Sequence, residues 1–216
     1  MGRKNSVGTA NGLPNGERAG GAAAGSGAPV PCHLLVMRTS AMGDVAMLPH
    51  ALRALTAAYP DLRVTVATQA MFSPFFAGLD VGFLDVDVKG AHHSLAGMWR
   101  LAAQARRLGV DAVADVHDVL RSKAFRLAMR LHGVPAAHID KGRAGKRAFI
   151  RCGGRGMEPL RHTVLRYCDV FRKLGFVLDD PAPAVRRDRP NPFGEKHGVW
   201  VGFAPCLLYT SDAADD

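Results

Sequence analysis

Short apolar runs alternate with stretches of helical spacing between residues 33 and 176, and this alternation limits the fold more than any other feature. The first run, His33–Met37, reads HLLVM and is mostly apolar, as in strands that are buried on both faces of a sheet. Further strands are predicted at 63–68, 81–88, 111–116 and 136–139. Strands separated by helices favour parallel pairing through right-handed crossovers. The sequence therefore predicts an α/β fold with a Rossmann-like parallel sheet flanked by helices.

Helices are predicted at 94–108, 119–131 and 158–174, and one proline complicates the first helical stretch, 45–59. A proline inside a helix removes an amide donor and clashes with the preceding turn. We therefore expect a short turn over Asp44–Leu48 and a regular helix that begins at Pro49. Residues 140–156 carry several glycines and six cations against one acid, and they are predicted to form a basic loop that meets an anion.

The two ends of the chain differ from this central part. Residues 1–32 are rich in glycine, alanine, asparagine and serine, which is typical of a disordered segment. Residues 33–180 form the predicted Rossmann-like domain, and the proline- and arginine-rich segment 181–198 reads as an interdomain connector. Residues 199–205 are predicted to be the first strand of a truncated second domain. The last residues, 206–216, resemble the translation of a sequencing adapter and are expected to be non-native.

Composition restricts the class of protein. The apolar content of 48% and charged content of 22% are typical of globular proteins. We expect a cytoplasmic protein, because no window reaches the roughly 18 apolar residues of a membrane span and no secretory signal is recognisable. The four cysteines form no CxxC pair, so neither a zinc knuckle nor a disulfide framework is predicted. The net charge of +9 favours an anionic partner: a phosphorylated substrate, a nucleic acid or an acidic membrane surface.

The loop Arg38–Asp44 follows the first strand, where open α/β sheets place their ligand crevice. Asp44 is the candidate catalytic residue, because a carboxylate there can accept a proton from a substrate hydroxyl. Gly43 lacks a side chain and allows a ligand to approach the loop closely. The same aspartate could instead be a helix N-cap, which stabilises a helix by about 1 kcal/mol without any catalytic role.

A second polar cluster follows the predicted strand at 111–116. The start of the next helix, with Arg121 and Lys123, could hold a phosphate or carboxylate, or could be a solvated helical turn. No G-x-G-x-x-G follows the first strand and no Walker motif is present, which disfavours dinucleotide dehydrogenases and P-loop enzymes. His92 and His93 are adjacent rather than spaced as ligands on one face, so no metal site is predicted.

Four segments resemble a known family. RTSAMGDVAMLP at 38–49 resembles the opening of the heptosyltransferases of lipopolysaccharide assembly, glycosyltransferase family 9. DVHDVLRS at 115–122 and HTVLRYCDVFRKLGF at 162–176 resemble two further segments in the same order, and VGFAP at 201–205 resembles the strand that opens the second domain. Asp118 stands where many family members have glycine.

This resemblance implies a GT-B architecture, in which residues 33–180 are the acceptor-side domain. Asp44 would be the general base of an inverting transfer. The residues implied in acceptor binding are Arg38, Ser40, Met42, Gly43, His117, Arg121 and Ser122. The donor would be a nucleotide-sugar, typically ADP-heptose, bound by the missing C-terminal domain without a metal or other cofactor.

The implied acceptor is an acidic lipid A or Kdo-type acceptor, which suggests peripheral association with the inner membrane. With the donor domain missing, the chain alone is expected to show no turnover. Because donor specificity lies in that domain, another GT-B transferase or a nucleotide-sugar epimerase stays open.

An alternative from a different class is a basic α/β module that binds phosphate or nucleic acid without catalysis. Few aromatic residues lie among its cations and no nucleic-acid motif frames them, so nucleic acid is not the expected partner.

Overall fold

A computed structural model of the chain describes residues 30–153, 159–181 and Gly198. The predicted low-complexity start, the interdomain connector, the strand at 199–205 and the tail at 206–216 lie almost entirely outside the described residues. The predictions for them stay untested.

A parallel sheet of five strands forms the centre of the described part of the chain. The strands are β1 (His33–Met37), β2 (Arg63–Thr68), β3 (Gly82–Asp85), β4 (Ala112–Asp115) and β5 (Ala136–His138). Their order is β3-β2-β1-β4-β5, and every neighbouring pair is parallel. Leu34 is in register with Val64 on one side and with Ala112 on the other. The predicted α/β Rossmann-like parallel sheet is confirmed.

Helices cover both faces of this sheet. They are α1 (Met42–Ala58), α2 (Leu95–Arg107), α3 (Leu120–Leu131), α4 (Arg143–Arg151) and α5 (Thr163–Arg172), with a 3₁₀ helix at Ala70–Phe76. Ser94 caps α2 by accepting a hydrogen bond from the amide of Gly97 at 3.1 Å. No helix among the described residues combines the length and the apolar character that crossing a bilayer requires.

The side chains of β1 alternate between two hydrophobic cores. Leu34 and Val36 face α1 and α5, and they pack in one cluster with Phe171. Leu35 and Met37 face α2 and α3, in a second cluster that includes Phe125. All five residues of β1 are buried. The apolar run that follows His33 in this strand is thus explained, because a central parallel strand has no solvent-exposed face.

Helix α1 differs from the prediction. It runs without interruption from Met42 to Ala58, with Pro49 inside it, so the expected turn over Asp44–Leu48 followed by a new helix is wrong. Leu48, Leu52 and Leu55 are completely buried. Full burial of each contributes about 1.5–3 kcal/mol, and together they outweigh the cost of about 3 kcal/mol for an interior proline.

Part of the predicted basic loop also differs from the prediction, since Arg143–Arg151 form helix α4. Gly145, Ala148 and Phe149 are half-buried, whereas the cations of the helix are exposed.

Two glycines of this region give a test of α4. Gly145 lies inside the helix, and an added Cβ would lie 3.6 Å from Leu160, an ordinary contact. Gly145→Ala should therefore stabilise the chain by about 0.5–1 kcal/mol, measured by urea unfolding. Gly142 has φ +58°, and an added Cβ would lie 2.6 Å from the Arg166 guanidinium. Gly142→Ala should destabilise the chain by about 1 kcal/mol or more. Equal midpoints for the two variants would contradict the helix.

Candidate functional site

The candidate site lies where β1 and β4 end side by side. Met37 is in register with Asp115, so the loops that follow these two strands meet at the carboxyl edge of the sheet. One loop carries Arg38, Thr39 and Ser40, and the other carries His117 and Asp118. The fold therefore brings together the two polar segments that the sequence singled out.

Arg38 and Asp44 form an ion pair at this edge. Arg38 is 8% exposed, and its guanidinium also donates to the backbone carbonyl of Val116 at 2.5 Å. The Asp44 side chain is 37% exposed. Its carboxylate is thus held by a buried cation while it stays open to solvent.

Asp44 is not the N-cap of α1. The N-cap is Ala41, which offers no side-chain hydrogen bond, and Asp44 is the third residue of the helix. The capping alternative for Asp44 is therefore wrong. A carboxylate in the first turn is still favourable, because the amide groups at a helix N-terminus carry partial positive charge.

His117 links the two loops through hydroxyl groups. Its Nδ1 lies 3.1 Å from the Thr39 hydroxyl, and its Nε2 lies 3.2 Å from the Ser40 hydroxyl. Burial lowers the pKa of His117 to about 3, with further contributions from the positive charges of Arg38, Lys141 and Arg121. The imidazole is neutral at physiological pH, so it accepts a hydrogen bond at one nitrogen and donates at the other.

A second ion pair supports the β4 loop from within. Asp115 is completely buried and pairs with Arg126 at 2.7 Å. Its other carboxylate oxygen accepts from the amides of His117 and Asp118, at 3.0 and 2.8 Å. Asp118 has φ +50°, a left-handed conformation that suits glycine and that aspartate tolerates. This left-handed backbone accounts for the glycine that the family pattern has at this position.

Other predicted site residues make internal contacts. Arg121 donates to the carbonyl of Val88 at 3.1 Å. The Ser122 hydroxyl accepts from the amide of Val119 and donates to its carbonyl, both at 3.0 Å, and so caps α3. Met42 and Gly43 begin α1, where Gly43 is exposed and an added Cβ would meet nothing within 4 Å. In the ranges that the structure describes, no three His, Cys, Asp or Glu side chains are grouped as metal ligands.

Sequence reasoning missed Tyr167, which lies beneath the site. This residue is fully buried in α5, and its hydroxyl donates to the backbone carbonyl of Asp44 at 3.0 Å. The sequence signal for this contact is a tyrosine on the apolar stripe of a predicted helix. Such a tyrosine is expected to be buried, and a buried phenol usually needs a hydrogen-bond partner.

Comparisons with known proteins bear on the fold. No family model matches the chain. A stretch of 96 residues is 30% identical to the alpha subunit of phenylalanine–tRNA ligase from Xanthomonas euvesicatoria pv. vesicatoria, over 42% of this chain and 28% of that protein. The chain thus spans under a third of that relative, too little to show a family.

Two solved structures resemble the chain more broadly. A family 9 glycosyl transferase from Veillonella parvula matches 72% of this chain and 46% of its own, with a TM-score of 0.51 and 17% identity. Escherichia coli heptosyltransferase WaaC, solved with ADP-2-deoxy-2-fluoro heptose, matches 69% of this chain and 50% of its own, with a TM-score of 0.50 and 18% identity. The chain therefore spans about half the length of these structures. The resemblance to family 9 glycosyltransferases is confirmed at the level of the fold.

The neutral state of His117 predicts a pH dependence of stability. Between about pH 3 and 6.5 the unfolded chain binds a proton at this residue and the folded chain does not. Its contribution to the free energy of unfolding therefore falls by about 2 kcal/mol from pH 7 to pH 5. In His117→Asn, the free energy of unfolding, measured with urea at each pH, should lose this part of its slope against pH. The exposed His93→Asn is the control, and an unchanged slope in His117→Asn would refute the assignment.

Proposed function

We propose that this chain is the acceptor-side domain of a heptosyltransferase-like glycosyltransferase. The reaction would transfer a heptose from a nucleotide-sugar donor, typically ADP-heptose, to a lipopolysaccharide core acceptor with inversion. The fold supports this proposal, as do the four sequence segments that resemble family 9. The single observation that carries it is the Asp44 carboxylate, which is held by buried Arg38 and open to solvent at the carboxyl edge of the sheet.

In this reaction Asp44 acts as the general base. Its carboxylate takes the proton from the acceptor hydroxyl as that oxygen bonds to the anomeric carbon of the donor. The bond between this carbon and the donor phosphate breaks, and its electron pair leaves with the nucleoside diphosphate. The ion pair with Arg38 fixes the direction of the carboxylate, and orientation of this kind is a major source of rate enhancement.

The acceptor would lie over the start of α1 and the two loops. Exposed Gly43 leaves room for it, and Met42 lies beside that opening. Ser40 and neutral His117 offer hydrogen-bonding groups, while Arg38 and Arg121 supply positive charge toward acidic groups of the acceptor. Ser122 would act by holding the first turn of α3. No metal or other cofactor is invoked for this chemistry.

Asp44→Asn tests the proposed base. In a protein that contains this chain and a donor-binding domain, the variant should lower kcat by about 10²- to 10⁴-fold with little change in the KM for the acceptor. The measurement is transfer from ADP-heptose to a Kdo-bearing lipid acceptor. Asp61→Asn, in the exposed turn after α1, is the matched control. A near wild-type kcat in Asp44→Asn would contradict the role of this residue.

The positive charge of helix α4 supports an acceptor that lies in a membrane of acidic lipids. Arg143, Lys146, Arg147 and Arg151 are all exposed, and α4 contains no acidic residue. Lys141, just before this helix, lies close enough to His117 to lower the pKa of its imidazole. The cations of α4 therefore begin beside the site, where an anionic membrane surface would approach the bound acceptor.

Ile150 favours a lipid surface over a nucleic acid as the partner of α4. It is 77% exposed, and it lies three and four residues after Arg147 and Lys146, hence on the same face of the helix. An apolar side chain amid cations suits the boundary between headgroups and acyl chains. A phosphate backbone needs only the cations.

Vesicle binding tests this partner with the 216-residue chain. The chain should cosediment with vesicles that contain phosphatidylglycerol and not with phosphatidylcholine alone. Arg147→Gln should weaken binding about fivefold, and Ile150→Asn, which keeps the charge, by about tenfold.

Arg106→Gln and Leu127→Asn are the controls, since they alter an exposed cation and an exposed leucine outside α4. Binding to duplex DNA is measured in parallel. Tighter binding to DNA than to the vesicles, unaffected by Ile150→Asn, would refute the lipid partner and favour the basic binding module instead.

A further inference from the structure

Tyr167 contacts both members of the Arg38–Asp44 pair. Its hydroxyl donates to the backbone carbonyl of Asp44 at 3.0 Å. The centre of its ring lies 5.8 Å from the Cζ atom of Arg38, within the range of a cation–π interaction. Helix α5 thus contributes a third element to a pair that otherwise joins the β1 loop to α1.

The first turn of α1 has little support of its own. Its N-cap residue, Ala41, provides no side-chain hydrogen bond. Pro49 has no amide hydrogen, so the carbonyl of Val45 lacks its usual donor four residues along the helix. The turn that carries Asp44 therefore depends on tertiary contacts more than the first turn of an ordinary helix does.

The hydroxyl and the ring of Tyr167 act on different partners. The hydroxyl fixes the main chain of Asp44, and the ring supports the guanidinium of Arg38. Burial raises the pKa of Tyr167, so the phenol keeps its proton and remains a donor. Neither contact uses the Asp44 carboxylate oxygens, which stay available to Arg38 and to a substrate.

We propose that Tyr167 is a positioning residue, which holds the Asp44 main chain and the Arg38 guanidinium in the geometry that proton abstraction requires. This inference rests on the proposed function, in which Asp44 is the base. Tyr167 acts through Asp44 and Arg38, beneath the surface that the acceptor would contact. Its effect is expected on kcat, because small displacements of a catalytic group lower the rate of the chemical step.

Tyr167→Phe tests the inference in two independent ways, since it keeps the ring and removes the hydroxyl. In the 216-residue chain, amide hydrogen exchange at Val45, whose amide donates to Ala41 at 3.0 Å, should become about fivefold faster. In a protein that also contains a donor-binding domain, kcat should fall about tenfold with the acceptor KM unchanged. Tyr167→Leu removes the ring as well and should lower kcat further.

Tyr59→Phe is the matched control. The Tyr59 hydroxyl accepts from the amide of Val177 at 2.8 Å, so this variant also removes a hydroxyl bound to the main chain, at the opposite end of α1. It should leave both Val45 exchange and kcat unchanged.

The outcomes separate this inference from the proposed function. Unchanged Val45 exchange in Tyr167→Phe overturns the inference whatever the activity. A wild-type kcat in Tyr167→Phe, with an impaired Asp44→Asn, overturns the positioning role alone. A wild-type kcat in Asp44→Asn overturns the proposed base itself.

Discussion

The buried guanidinium of Arg38 is the interaction on which the carboxyl edge of the sheet depends. A buried cation is strongly destabilising unless its charge and its hydrogen-bond donors find partners. The two Nη atoms of Arg38 find them in the carbonyl of Val116 and the carboxylate of Asp44, whereas its buried Nε has no hydrogen-bond partner among the described residues. Because β1 lies between β2 and β4, the residue that follows it lies at the middle of this edge. The strand order thus allows one side chain to connect the β4 loop to α1.

The carboxylates of Asp44 and Asp115 have different surroundings at this edge, and these surroundings separate their roles. Asp115 is fully enclosed and saturated by two amides and Arg126, so it supports the loop and cannot reach a ligand. Asp44 has a similar cationic partner but remains more than one-third exposed. His117 lies between the two pairs as a neutral group, because burial and nearby cations both oppose its protonation. Of these groups, Asp44 is the one that is both charged and reachable.

The sequence predicted the parts of the fold that depend on local pattern. The five strands follow from apolar runs, and the placing of Arg38–Asp44 beside His117 follows from the rule that parallel strands end at one edge. Pro49 and α4 were mispredicted because local rules for proline, glycine and charge were applied to segments that tertiary contacts hold in place. These contacts are made by buried leucines in α1 and by half-buried residues such as Phe149 in α4. Tyr167 was missed because its partner lies 123 positions away, beyond any periodicity. The ion pair of Asp115 with Arg126 joins a strand to a helix across eleven positions, so it likewise leaves no periodic pattern in the sequence.

Different contacts hold the body and the start of α1 in place. This difference explains why its sequence departs from the usual helix preferences near the start only. Its body is anchored by completely buried leucines, so the axis of the helix is fixed by the core rather than by its start. The start has no side-chain cap and loses one helical hydrogen bond to Pro49, and both deficits fall next to Asp44. The position of the carboxylate is then set by Arg38 and Tyr167, which belong to other elements. A carboxylate held in this way is placed by the tertiary fold, and changes in those two side chains should move it more than changes in helix propensity.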